Sequence, residues 1–197
     1  YKRNFMIAIL KYNAGNVTSV ENAVQKLGYS SVVTDDIEVL KAADKVIFPG
    51  VGEARSAMLY LKENGLDHLI IHLKQPVLGI CLGMQLMCES SEEGNTKGLG
   101  IFDAKVFKFP PKDLVPQMGW NNFTALKGEL FEGVQLENDC YFVHSYYAEM
   151  SRETVAVTDY ILPFSAALQK NNFYATQFHP EKSAAVGLKI LNNFLKL

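Results

Sequence analysis

The sequence predicts an α/β protein: a doubly wound, mostly parallel sheet flanked by helices, with antiparallel strands added in the C-terminal half. Three observations predict it. Residues 5–10 (FMIAIL), 31–34, 46–48 and 76–78 are short apolar runs of strand length, the form taken by strands buried on both faces. Helix-length stretches separate these runs, so strand and helix alternate as far as Gln85. Beyond residue 100, short strand-like runs follow one another with turns between them, which is antiparallel material.

Each element has its own signal. Residues 1–4 are polar and expected to be loose, and 5–10 form the first strand. The turn 13–16 (NAGN) leads to a helix ending at Leu27, with Asn16 or Thr18 as its cap, Val20, Val24 and Leu27 as its apolar stripe, and Gly28 as its stop. Residues 31–34 form a strand, 37–43 a short helix capped by Asp36, and 46–48 a third strand. Residues 49–52 (PGVG) join that strand to a helix over 53–64. Gly65 separates it from an apolar helical stretch, 66–73. A strand at 76–78 runs into a helix over 82–89. Residues 90–100, rich in Ser, Glu and Gly, have loop composition. Residues 101–109 are extended and stopped by Pro110-Pro111. Strands follow at 123–126, 140–143, 154–158, 166–169 and 173–178, with a hairpin turn at Asn171-Asn172. Residues 183–197 form the closing helix.

With 197 residues, 48% hydrophobic and 20% charged, the chain fits one globular domain over 1–197 with a substantial core. A net charge of −2 makes no electrostatic case for nucleic acid or an anionic membrane as partner. No apolar run reaches bilayer-spanning length, no secretory signal opens the sequence, and three cysteines suit a reducing compartment, so a cytoplasmic location is expected. Cys88 and Cys140 are expected to fill core space. His68 and His72 are spaced i, i+4 but lack an intervening Glu and a third ligand. They read as packing or surface residues, and no metal site or cofactor is expected.

Residues 79–85 (GICLGMQ) carry the first chemical signal. A strand, a sharp turn with glycines two residues before and two after a cysteine, and a helix together form the context of a nucleophile elbow, with Cys in the place of Ser. The turn projects Cys81 from the sheet's carboxyl edge, at a helix N-terminus whose dipole favours thiolate. A lone cysteine would more simply be a buried core thiol. The second signal is residues 177–181 (QFHPE). Pro180 holds His179 extended, so His179 and Glu181 face the same way. Glu181 can then hold one ring nitrogen and leave the other for a thiol, the nucleophile–base–orienter arrangement. Taken alone, the segment reads equally as a solvated turn before the last helix. The PGVG loop, taken alone, is a strand-to-helix connection that can also turn N–H groups toward a neighbouring site.

Together, residues 49–52, 79–85 and 177–181 resemble the class I, triad-type glutamine amidotransferases along nearly the whole chain. Residues 116–121 (PQMGWN) and 141–146 (YFVHSY), with the PGVG form of the loop, resemble the glutaminase (HisH-type) subunits of imidazole glycerol phosphate synthases. The resemblance implies a flavodoxin-like core and a stand-alone subunit of a lyase-type synthase complex. It implies that Cys81 attacks the side-chain amide of glutamine, that His179 moves the proton, and that Glu181 orients His179. The Leu82 N–H and one from Gly50, Val51 or Gly52 would form the oxyanion hole. Gln85 and Glu93 would hold the substrate's α-amino end, and backbone at Ser145 and Tyr146 its carboxylate. The implied partner is a (β/α)₈-barrel cyclase subunit, HisF, which turns the ribulosyl intermediate PRFAR into imidazole glycerol phosphate and AICAR in histidine biosynthesis. Met118, Trp120 and Asn121, with Tyr141 and Asn16 nearby, would face it. Lys11 and Asn13 depart from the family's first loop, while Gly15 and Asn16 are kept. The alternatives are a paralogous glutaminase feeding another synthase, a stand-alone cysteine γ-glutamyl hydrolase, and an inactive module that only binds the barrel. Gln85, Glu93 and the Trp120 segment weigh against the second, and the complete Cys81–His179–Glu181 set against the third.

Overall fold

The structure is a computed structural model that describes residues 5–197; the loose segment expected over 1–4 lies outside the described residues. The apolar run at the start forms β1 (Ile7–Leu10), followed by α1 (Val17–Lys26), β2 (Ser31–Thr34), α2 (Ile37–Ala42) and β3 (Lys45–Phe48). Next come α3 (Ala54–Glu63), α4 (Leu66–His72), β4 (Val77–Ile80) and α5 (Leu82–Met87). The second half is built from β5 (Ser90–Ser91), β6 (Thr96–Lys97), β7 (Lys105–Lys108), β8 (Gln117–Asn121), β9 (Ala125–Leu126), β10 (Cys140–His144), β11 (Tyr146–Ala148), β12 (Thr154–Tyr160), β13 (Leu162–Lys170) and β14 (Phe173–Thr176), and α6 (Ala184–Lys196) closes the chain.

The main sheet has the order β2-β1-β3-β4-β14-β13-β12-β9. Its first five strands are mutually parallel and its last three add antiparallel pairings. Alternation along β1 divides the core: Ile7 and Ile9 pack with α1 and α6, whereas Ala8 and Leu10 pack with α2 to α5. The sheet is therefore doubly wound. Because β3, β4 and β14 run parallel, their carboxyl ends open on one edge, where α/β sheets place their sites.

Asp36 caps α2 as expected, its carboxylate accepting from the Glu38 and Val39 N–H groups. The capping of α1 differs: neither Asn16 nor Thr18 caps it, and Asn16 sits at the N-cap position with φ 76° and its side chain directed elsewhere. Residues 90–100 are not all loop. β5 and β6 pair there and join β7 and β11 in a small four-stranded sheet, whose two-residue strands are too short to show a period. The strand expected over 123–126 shortens to β9, and the sequence reading passed over β8. β8 pairs with β10 in a separate ribbon, and Gly119 and two exposed apolar side chains obscure its pattern. The hairpin at Asn171-Asn172 forms between β13 and β14, with Asn171 at φ 53°.

Candidate active site

Cys81 follows β4 at the carboxyl edge with φ 52° and ψ −106°, a strained conformation for a residue with a Cβ and the mark of an elbow. The flanking glycines explain how α5 packs so closely. A Cβ on Gly83 would lie 2.0 Å from the Phe48 carbonyl oxygen, and one on Gly79 would lie 2.5 Å from Met87 Sδ. The Cys81 N–H donates to the Thr176 carbonyl at 2.8 Å, tying the elbow to β14, the strand that leads to the histidine. Cys81 is 7% exposed and opens onto a cavity of about 310 Å³, the size for one small polar molecule. Cys88 and Cys140 are buried core thiols, with burial raising both, Cys140 to about 12.

His179 is wholly buried, and its Nδ1 meets Glu181 Oε1 at 2.7 Å. The same oxygen accepts a hydrogen bond from the Asn16 side chain, so the group that does not cap α1 steadies the carboxylate instead. His179 Nε2 has no nitrogen or oxygen partner, and the Cys81 sulfur is its neighbour in charge. Burial works against the charged ring, but the Cys81 sulfur and Glu181 outweigh it and hold the pKa up to about 10. The His179 N–H donates to the Tyr141 carbonyl at 2.9 Å, and the Tyr141 N–H to Ser183 Oγ at 2.9 Å. The β8–β10 ribbon is thereby fastened to the segment carrying the histidine.

The loop after β3 lies over Leu82. The Leu82 N–H donates to the Gly50 carbonyl at 3.2 Å, so the Gly50–Val51 peptide turns its oxygen, not its N–H, toward the elbow. Two contacts frame this peptide. The buried Tyr12 hydroxyl donates to the Pro49 carbonyl, and the Gly15 N–H donates to the Val51 carbonyl at 3.2 Å. The first loop thus touches the PGVG loop through Gly15, which the family pattern keeps. Of the two departing residues, Asn13 reaches the Ser56 carbonyl at 3.2 Å and the Lys11 N–H donates to the Thr34 carbonyl at 2.9 Å.

Gln85, Glu93, Ser145 and Tyr146 all line the cavity, with Val51, Gly52, Cys81 and Leu82. Gln85 is buried and its Nε2 donates to the Tyr146 carbonyl at 2.9 Å. Glu93 accepts from the Ala54 N–H at 2.9 Å; burial raises its carboxyl despite that bond, and the Glu53 charge adds to the rise. Sequence reasoning gave no role to His144, which lines the same cavity with its Nδ1 2.7 Å from the Tyr146 carbonyl and its Nε2 2.9 Å from the Gln117 side-chain amide. Burial pushes its pKa down to about 4 against the pull of that carbonyl, so the ring is neutral at physiological pH. His68 and His72 lie on the surface of α4, away from the cavity.

Met118 and Trp120 are 67% and 56% exposed, so core packing does not account for them. Trp120 meets Tyr141 edge-on across the ribbon, ring centroids 5.9 Å apart. Asn121 donates to the Asp159 carbonyl at 3.1 Å, and the Asn16 side chain donates to Glu181.

Residues 8–197 match the model of the class I glutamine amidotransferase family. The chain is a class I glutamine amidotransferase. It is 62% identical over 194 residues to the protein of Bacteroides fragilis named imidazole glycerol phosphate synthase subunit HisH, covering 97% of this chain and 99% of that one. It is 46% identical over 192 residues to the Haemophilus influenzae protein of that name, covering 96% of each. Solved structures share the amidotransferase fold at low identity. A glutamine amidotransferase from Thermotoga maritima superposes with a TM-score of 0.67 at 16% identity, over 98% of this chain and 82% of that one. Another glutamine amidotransferase superposes with a TM-score of 0.70 at 18% identity, over 96% and 97%.

Proposed function

We propose that this amidotransferase is the glutaminase subunit of an imidazole glycerol phosphate synthase, hydrolysing L-glutamine and passing ammonia to a (β/α)₈ cyclase subunit. The observation that carries the reading is Cys81 in the wall of a one-substrate cavity, with His179 and Glu181 buried behind it, in a chain so close to proteins named HisH. The Cys81 thiolate attacks the side-chain amide carbon of glutamine, and the His179 imidazolium gives its proton to the departing nitrogen, which leaves as ammonia. Water then attacks the thioester, His179 takes a proton from it, and collapse releases glutamate and the thiolate. Glu181 keeps the ring oriented and Asn16 keeps Glu181 in place. Gln85 and Glu93 receive the substrate's ammonium, and the Ser145–Tyr146 backbone its carboxylate.

The oxyanion needs two N–H donors, and removing one costs about 3 kcal/mol of barrier. In the observed loop the Leu82 donor is occupied by the Gly50 carbonyl, so the isolated chain should be a poor glutaminase. Rotation of the Gly50–Val51 peptide would free Leu82 and present the Val51 N–H. The exposed Met118 and Trp120, beside Tyr141, suit a partner surface, because aromatic and Met side chains anchor interfaces. Tyr141 joins that surface to His179. Ammonia would be consumed in the partner, and a cytoplasmic heterodimer is the expected form. Among the described residues, no helix is long and apolar enough to cross a membrane.

The test is glutamate release from glutamine by the chain alone, with the cyclase subunit, and with that subunit plus its ribulosyl ligand. Strong stimulation in the last case supports chemistry and partner together. Vigorous activity alone, unmoved by the cyclase, keeps the triad and assigns the ammonia to a different acceptor. Cys81→Ala should abolish glutamine-dependent synthesis and leave ammonium-driven synthesis by the complex intact.

A further inference from the structure

Gln177 is fully buried beside the nucleophile, and the triad mechanism gives it no task. Its Nε2 lies 3.6 Å from Cys81 Sγ, within reach of an N–H to sulfur hydrogen bond. Its Oε1 accepts from Gln85 Nε2 at 2.9 Å. The direction of this chain follows from one fixed end. The Tyr146 carbonyl can only accept, so Gln85 must present its amide nitrogen there. The same nitrogen meets Gln177, which must therefore present oxygen to Gln85 and its own nitrogen to the sulfur. With both Gln85 N–H groups directed away, Gln85 Oε1 is the acceptor left to offer the cavity that Gln85 lines.

We propose that Gln177 is a catalytic donor to the Cys81 sulfur and, through Gln85, the positioning residue that turns an acceptor toward the substrate. The donor acts when the sulfur carries negative charge: before attack on the amide carbon, and again when the thioester collapses and the sulfur leaves with its electron pair. Hydrogen bonds to a charged atom are about twice as strong as neutral ones. The task differs from that of His179, which moves a proton; Gln177 keeps its own. The second effect reaches the substrate, because a rotated Gln85 amide would point N–H groups at the incoming ammonium. Among the described residues, His179 and Tyr12 interact with the sulfur, Glu181 lies behind the ring, and Glu93 and His144 line the same cavity.

The inference rests on the glutaminase reading, and the experiment separates the two. In the chain alone, alkylation of Cys81 by iodoacetamide is followed against pH by mapping the modified peptide, with unfolding measured in parallel. In Gln177→Met the midpoint should rise by about one unit, a tenfold lower thiolate fraction at a given pH. A folded variant with an unmoved midpoint overturns the donor role, since a packing defect lowers stability without moving that midpoint. If Gln177→Met does not fold, Gln177→Asn decides in the complex with the cyclase subunit. It keeps a neutral amide in the buried site but withdraws its N–H from the sulfur by one methylene, so kcat should fall at least about tenfold. Near-normal kcat overturns the proposal. Wild-type chain that releases no glutamate with the cyclase and its ligand would instead overturn the glutaminase reading.

Discussion

The backbone N–H of Leu82 donates to the carbonyl oxygen of Gly50 at 3.2 Å. On the proposed mechanism, a donor the oxyanion would use is thus occupied by the loop expected to supply the second one. Rotation of that single peptide is constrained on both sides, by Tyr12 on the Pro49 carbonyl and by the Gly15 N–H on the Val51 carbonyl. Tyr12→Phe removes the first of these anchors. Its expected effect is a several-fold rise in glutamate release by the chain alone, with the rate in the liganded complex little changed, so the stimulation ratio shrinks. The variant should also lose about 1–3 kcal/mol of stability from the buried, unpaired carbonyl. An unchanged basal rate would show that Tyr12 does not restrain the loop.

The charge on His179 has a definite pH consequence. Its folded pKa, about 10, lies above the ordinary 6.5, so its contribution to stability is full below about 6.5 and is lost as pH rises through 10. After burial, which opposes the charge, the Cys81 sulfur is the larger of the two supporting causes and Glu181 the smaller. Cys81→Ser should therefore lower the midpoint of the His179 ring, read by NMR, more than it alters any other histidine. Unfolding measured from pH 6 to 10 should fall less steeply in that variant than in wild type. An unmoved His179 midpoint would mean that the sulfur does not hold the ring's charge.

Asn16 reaches across from the start of α1 to Glu181 Oε1, the oxygen that holds His179. Asn16→Ala should lower kcat about tenfold by loosening that carboxylate. Asn16→Asp should lower it further, since it sets one carboxylate against another. Asn16 also has φ 76°, which disfavours alanine by about 1–2 kcal/mol. Asn16→Gly removes the side chain without that strain. Equal loss of kcat in the Ala and Gly variants assigns the effect to the side chain; recovery in the Gly variant would assign it to the backbone.

The grouping of Cys81, His179 and Glu181 was legible because its signals are local. Glycines two residues either side of Cys81 and a proline between His179 and Glu181 dictate backbone shapes that need no distant partner. The parallel half of the sheet was legible for the same reason, each strand being a continuous apolar run. Asn16 was misread as a helix cap because the residue that takes its side chain, Glu181, is remote in sequence. Gln177 and His144 lie inside segments that stood out in the sequence, 177–181 and 141–146, but neither they nor Tyr12 showed a role there; each acquires its role from a buried hydrogen bond to another segment. β8 was missed because Met118 and Trp120 face outward where an ordinary strand would bury them or carry polar groups. That same exposure is what makes the ribbon a candidate contact surface.

The elbow depends on backbone packed against backbone. A Cβ on Gly83 would stand 2.0 Å from the Phe48 carbonyl oxygen and 3.0 Å from its carbon, with the Pro49 oxygen at 3.3 Å. None of these is the movable end of a side chain, so α5 must shift away from the end of β3. That shift would carry Leu82 away from Gly50 and alter the floor of the cavity. Gly83→Ala should therefore cost about 3 kcal/mol or more in urea unfolding. Its glutaminase rate in the complex should fall even at temperatures where the fold is intact, because the oxyanion donors separate. Gly28→Ala is the control, since that glycine has φ +85° but nothing within 4 Å of an added Cβ. It should cost only about 1 kcal/mol and leave the glutaminase rate as it was. A Gly83→Ala protein as stable and as active as the control would show that α5 does not need this close approach.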